Sequence, residues 1–152
     1  MSISVKATSP EIDLESLGAD FSRADIEFEG LDHFGSSYEG RLFLNNAAAD
    51  ADTPTTAETG YAGSYYIFGH GGCFGDEGHC DVAPRSPYDP RPPHALWPIR
   101  KVVIATDAIR RAAHAGPTMT ITVVPVILST TDKVPADETI PKFQLVSVIA
   151  YQ

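Results

Sequence analysis

Basic residues are scarce in this chain: eleven Lys and Arg stand against twenty Asp and Glu, a formal net charge of -9, and no cationic cluster is longer than the Arg110-Arg111 pair. Nucleic acid and anionic membranes are bound through a basic face, so neither is an expected partner. Long apolar runs are missing too. The longest, around Ile121 to Leu128, is interrupted by Pro125 and falls far short of the roughly 20 residues of a membrane-spanning helix. Met1 to Pro10 has neither a charged leader nor an apolar stretch behind it, which predicts no signal peptide and a soluble, cytoplasmic protein. There is no Gly-x-Ser-x-Gly elbow, no Walker loop and no dinucleotide fingerprint, which leaves hydrolytic and nucleotide chemistry without a sequence basis. Ser36 and Ser37 near His33 look like a triad fragment, but Ser-rich turns account for them more simply.

What is present is a β pattern. Hydrophobic residues make up 43% of the 152 positions and charged residues 20%, an ordinary balance for one folded domain. Ala24 to Leu31 alternates, with Ile26 and Phe28 on one face and Asp25, Glu27 and Glu29 on the other, as a half-buried strand does. Tyr38 to Leu44 reads similarly. Asn45 to Gly60 is a polar excursion without a core-forming residue, expected to be a surface loop. Gly63 to Gly69 is aromatic and predicts a buried strand, and Ile99 to Ala105 is a β-branched run. From Thr106 a hydroxyl cap opens a short helix that Gly116-Pro117 closes, with His114 near its C-terminal dipole. Met119 to Leu128 and Phe143 to Tyr151 complete the strands. Six or seven strands with one short helix predict a mostly β fold, a two-sheet β-sandwich. Residues 1–23 read as an N-terminal extension packed on it, and 24–152 as the single sandwich domain.

Between Gly69 and Pro98 the texture changes: six of the twelve prolines, both cysteines and three of the five histidines fall there. A connection this long is usually functional or flexible. Its densest part is His70-x2-Cys73-x5-His79-Cys80. Two thiols and two imidazoles are a ligand set suited to Zn(II) and to Cu(I), and the intervening glycines permit the sharp turns that would gather them. His33 and His94 are candidates to complete the site, although a surface position is the plainer reading of each. Three readings of the loop stay open: a metal site, a Cys73–Cys80 disulfide, and an unligated turn. Asp76 and Glu77 are assigned no role. Trp97, before Pro98, is read as a packing anchor.

Four segments in order resemble the C-terminal domain of plant polyphenol oxidases, named for a Lys-Phe-Asp-Val motif, and more distantly that of molluscan haemocyanins. They are Ala24-Asp-Ile-Glu-Phe28, Ala62-Gly-Ser-Tyr-Tyr-Ile-Phe-Gly-His70, Ile104-Ala-Thr-Asp-Ala-Ile109 and Thr120-Ile-Thr-Val-Val-Pro125. The resemblance spans about Ala24 to Tyr151. The naming motif itself reads Ala24-Asp25-Ile26-Glu27 here, and the Cys/His loop is not a feature of the plant domain. The resemblance implies a sandwich beside a tyrosinase-like dicopper domain, shielding its site or assisting its maturation. A type-3 copper centre needs six histidines on facing helices, whereas this chain has five and no helical His-x3-His pair.

The leading expectation is therefore an accessory domain, or a stand-alone partner, of a type-3 copper oxidase that binds copper or zinc through its loop. One alternative is a small metalloenzyme, a metal-dependent oxidoreductase, with an open position at the same ligands. The other is a disulfide-stabilised interaction module.

Overall fold

The computed structural model describes residues 6–18, 20–33, 35–69, 88, 90, 98–128 and 140–152. Its elements are β1 (Ala7–Thr8), β2 (Ile12–Asp13), β3 (Arg23–Leu31), β4 (Tyr38–Leu44), β5 (Tyr61–Ile67), β6 (Ile99–Ile104), α1 (Thr106–Ala115), β7 (Thr118–Met119), β8 (Ile121–Ile127) and β9 (Leu145–Tyr151). Antiparallel pairing builds a four-stranded sheet in the order β1-β8-β4-β5 and a three-stranded sheet in the order β6-β3-β9, with a small β2-β7 ribbon at one side. The fold is mostly β, and the two larger sheets form a sandwich.

Period-2 alternation places Ile26 and Phe28 of β3 against Leu42 of β4, Tyr65 of β5 and Val123 of β8 in one continuous core. Phe28 is the hinge pin of that packing: its ring centroid lies 5.1 Å from Tyr65 of the opposite sheet and 5.2 Å from Phe143. Gly40 of β4 pairs directly with Tyr65 of β5, and the phenol ring lies across the glycine, where a side chain would collide with it. Pro125 interrupts the apolar run of β8 without breaking the strand. It stands opposite Gly40 of β4, within the β4–β8 ladder.

The loop 45–60 differs from its sequence reading. Ala49 is buried and packs with Phe43, Val124 and Tyr61 in a second, smaller cluster on the outer face of the four-stranded sheet. A methyl group suffices to fill the shallow gap there, which is why a polar segment hides a core residue. The expected hydroxyl cap of α1 is also reassigned. Ala105 occupies the N-cap position without a side-chain bond, while Thr106 Oγ1 accepts the Ala24 N–H at 3.1 Å and ties the helix to the start of β3. The aromatic segment 63–69 is buried on one side only, through Tyr65 and Ile67, since the strand pleat turns Tyr66 and Phe68 outward to solvent.

Inside the core, Tyr38 and Tyr65 are buried with ring centroids 6.0 Å apart, and among the described residues neither hydroxyl has a hydrogen-bond partner. Burial pushes Tyr38 up to about 12, against the contact with Tyr65 and with help from the charge of Asp32. Tyr65 is pushed up further, by burial first and then by Tyr38. Both phenols stay neutral in the folded protein while they ionise in the unfolded chain from about pH 10. Stability is therefore expected to be level below about pH 10 and to fall as pH rises toward about 12. In a Tyr38→Phe/Tyr65→Phe variant the alkaline loss should shrink, and stability near pH 7 should hold or rise, because burying a hydroxyl without a partner costs free energy. Thermal melts across pH 7 to 12 check this, and an unchanged alkaline profile would refute it.

Candidate functional site

The four residues of the loop constellation, His70, Cys73, His79 and Cys80, lie outside the described residues, as does His94. What is described is the root of that loop. The β4–β5 hairpin pairs Tyr38 with Ile67, so the chain entering β4 runs beside the chain leaving β5. Gly69 N–H donates to Ser37 Oγ at 3.0 Å. A side chain on Gly69 would strike the Gly35 carbonyl oxygen and the Ser36 backbone, so the segment leading to His70 is pressed directly on residues 35–36.

His33 belongs to the same end of the sandwich and is buried, at 7% exposure, rather than a surface histidine. Its neighbour Ser36 is buried as well. The Ser-rich turn thus has an anchoring role: Ser37 holds the loop root by its hydroxyl. No feature of the local sequence separates a buried His33 from an exposed one. Among the described residues there is no group of three or more His, Cys, Asp or Glu side chains placed to hold a metal ion.

His114 and the Arg110-Arg111 pair are elsewhere. His114 Nδ1 bonds the Arg110 carbonyl at 2.6 Å in the last turn of α1, next to the helix C-terminus. Beside it is a groove of about 640 Å³ lined by Leu14, Glu15, Phe21, Arg110, His114 and Pro117, among others. Arg110 donates to the Phe21 carbonyl at 2.8 Å, lies 5.4 Å above the Phe21 ring and reaches Asp107 at 3.2 Å. The guanidinium is thereby committed to holding the 14–21 segment on the helix. The groove joins an early turn to a distant helix end, so no sequence motif marks it.

A polar cluster on the outer face of the four-stranded sheet was equally invisible in the sequence. Glu39 accepts from Ser64 Oγ at 2.7 Å and from Arg41 Nε at 3.0 Å, and Tyr61 Oη meets Ser64 Oγ at 2.7 Å. Burial raises the Glu39 carboxyl, but the bonds from Ser64, Arg41 and Tyr66 outweigh it and hold the group below its ordinary value. The carboxylate thus serves as the acceptor at the centre of a network that ties β4 to β5.

On the other sheet, the outward residues of β3 depart from simple alternation. Asp25 and Glu27 are 1% and 4% exposed. Arg23 clasps Asp25 through Nε at 2.8 Å and Nη2 at 2.7 Å, and Arg100 of β6 pairs with Glu27. The arginine stems and the flanking strands cover these carboxylates, and only Glu29 of the three remains exposed.

No protein-family model, curated protein or solved structure matches this chain. Among the described residues, no helix is long and apolar enough to cross a membrane.

Proposed function

We propose that this chain is a non-catalytic accessory β-sandwich that binds Cu(I) or Zn(II) through His70, Cys73, His79 and Cys80 and serves a type-3 copper oxidase domain. The observation that supports the reading is the clamped root of the loop. Gly69 is pinned on residues 35–37, so the four soft ligands follow directly from a rigid hairpin whose neighbouring histidine, His33, is buried. A ligand loop that starts from a fixed point loses less conformational entropy when it closes on an ion. His33, which like Ser36 is buried, is a candidate further ligand. The resemblance of Ala24 to Tyr151 to the polyphenol oxidase domain suggests the partner, and paired thiols suit handover of Cu(I).

The test is metal analysis of reduced protein purified without chelators, then loaded anaerobically with Cu(I) or Zn(II), with a count of free thiols. About one equivalent of metal, with both thiols protected from alkylation, is expected. Cys73→Ala combined with Cys80→Ala should abolish the binding, since thiolates are the strongest ligands present. A chain that takes up no metal, or that holds the two cysteines as a disulfide after reduction, overturns the reading. Copper-loaded protein is further expected to activate a metal-free type-3 oxidase, and the zinc-loaded protein is not.

A further inference from the structure

The groove at the C-terminal end of α1 has the make-up of a small-molecule site. Leu14 and Phe21, buried with the core, give it an apolar floor, and Ala113 and Pro117 extend the apolar lining. Its volume of about 640 Å³ is in the range of pockets that hold small organic ligands. Gly18 and Gly116 also line it, and a Cβ built on either would have no atom within 4 Å. The backbone calls for glycine at Gly18, where φ is 76°. At Gly116 it does not, because φ is 176°, an extended conformation that any residue adopts. The room beside Gly116 is therefore left by the missing side chain, and neither crowding nor backbone geometry requires it.

The polar groups of the groove select the chemistry of the ligand. Arg110 is already engaged: Nη1 reaches Asp107, Nη2 donates to the Phe21 carbonyl, and the guanidinium lies over the Phe21 ring. What remains accepts. Glu15 is exposed, and no cation pairs with its carboxylate among the described residues. His114 Nδ1 is bonded to the Arg110 carbonyl, which can only accept, so Nδ1 carries the proton and the neutral ring keeps a bare lone pair at Nε2. The helix also ends here, and its C-terminus is the negative end of its dipole. We propose that this groove binds a small organic cation, a protonated primary amine on an apolar body. The body packs on Leu14 and Phe21, and the ammonium, which has three donors and no acceptor, meets Glu15 and the acceptors at the helix end. A carboxylate of the same shape would face those acceptors, while the charge of Arg110 is answered by Asp107. The net charge of -9 favours a cation over an anion in the same sense. The site is independent of metal binding.

The experiment is a titration of the isotope-labelled full chain with phenethylamine, read from backbone amide chemical shifts. A reductant and a chelator are present, at physiological salt, where general attraction to the acidic surface is screened. Phenethyl alcohol and hydrocinnamate serve as the matched neutral and anionic probes. Saturable shifts are expected at residues 14–18, 21 and 113–116, with a dissociation constant of about 1 mM or tighter. The alcohol should bind more weakly than the amine, and the carboxylate most weakly. Glu15→Gln should weaken amine binding about two- to fivefold, the worth of an exposed charge pair. Gly116→Leu should abolish it by filling the groove, and Ala113→Leu, on an exposed turn of α1, gives a second obstruction. Each variant should keep the wild-type circular dichroism and melting temperature, since none of these positions is part of the core. Phenethylamine shifts that fail to saturate by about 20 mM, that persist in both obstructed variants, or that hydrocinnamate reproduces with equal affinity overturn the proposal.

Discussion

Phe28→Ala is expected to lower the unfolding free energy by about 3–5 kcal/mol, the range for deleting a large aromatic side chain from a well-packed core. The fall in melting temperature should be on the order of 10 °C for a domain of this size. The ring is fully buried and touches Tyr65 on the opposite sheet as well as Phe143, which precedes β9. Removing it deletes contacts on both sides of the sandwich at once, and backbones held in two hydrogen-bonded ladders cannot collapse into the void. Phe28→Leu keeps most of the volume and should cost much less. Urea unfolding at pH 7 reads the difference. A loss below about 1 kcal/mol for alanine would mean that the two sheets are not packed through this residue.

Gly69→Ala should have the second largest effect, and it falls on two properties. A methyl group at this position meets backbone atoms of residues 35 and 36, which have no freedom to rotate away. The segment must lift, at a cost of about 1–3 kcal/mol by analogy with overpacked cores, and the bond from its N–H to Ser37 Oγ at 3.0 Å is strained or lost. Once lifted, the loop root no longer lies against the His33 end of the sandwich. Metal affinity should fall together with stability. Ser37→Ala, which removes the anchor without the clash, should lower both by a smaller amount. Unchanged metal affinity in Gly69→Ala, with stability reduced, would detach the loop from the hairpin that is proposed to present it.

The strands were legible because each long one announces itself through alternation or a β-branched run, and β3, β4, β6, β8 and β9 fall within a residue or two of the segments expected. The helix was legible from its closing Gly116-Pro117, but its opening was not. A hydroxyl at Thr106 satisfies its hydrogen bond across the fold, at Ala24, and a local reading cannot see a partner 82 residues away. The same limit explains Asp25 and Glu27. Alternation assigns them correctly to the outer face, yet the arginine that buries Glu27 sits on β6. Ala49 is buried by Phe43, Tyr61 and Val124, which come from three different strands. The proposed metal ligands were legible only as composition, two thiols and two imidazoles crowded into eleven residues, and they fall outside the described part of the structure. Nothing in the sequence marks the exposed apolar residues of the three-stranded sheet, Val102, Ile104, Leu145, Ile149 and Tyr151. They are ordinary strand formers, and only the register shows that the five share one face.

The position of β3 has a consequence for the making of the protein. Both its neighbours come late: β6 lies beyond residue 98, and Ser22, just before β3, bonds Tyr151 of β9 across 129 residues of sequence. The four-stranded sheet can close its β4–β5 hairpin early, but β3 leaves the ribosome with both edges bare, gains β6 only after residue 104 and is not flanked on both sides until residue 151. Pairing over such separations is slow, because the entropy of closing the intervening chain is lost before any ladder bond is gained. During that interval Ile26 and Phe28 face solvent on a strand with two open edges, the arrangement most prone to pairing with another nascent chain. Whether β3 is sheltered or shared is therefore decided only when β9 has been made.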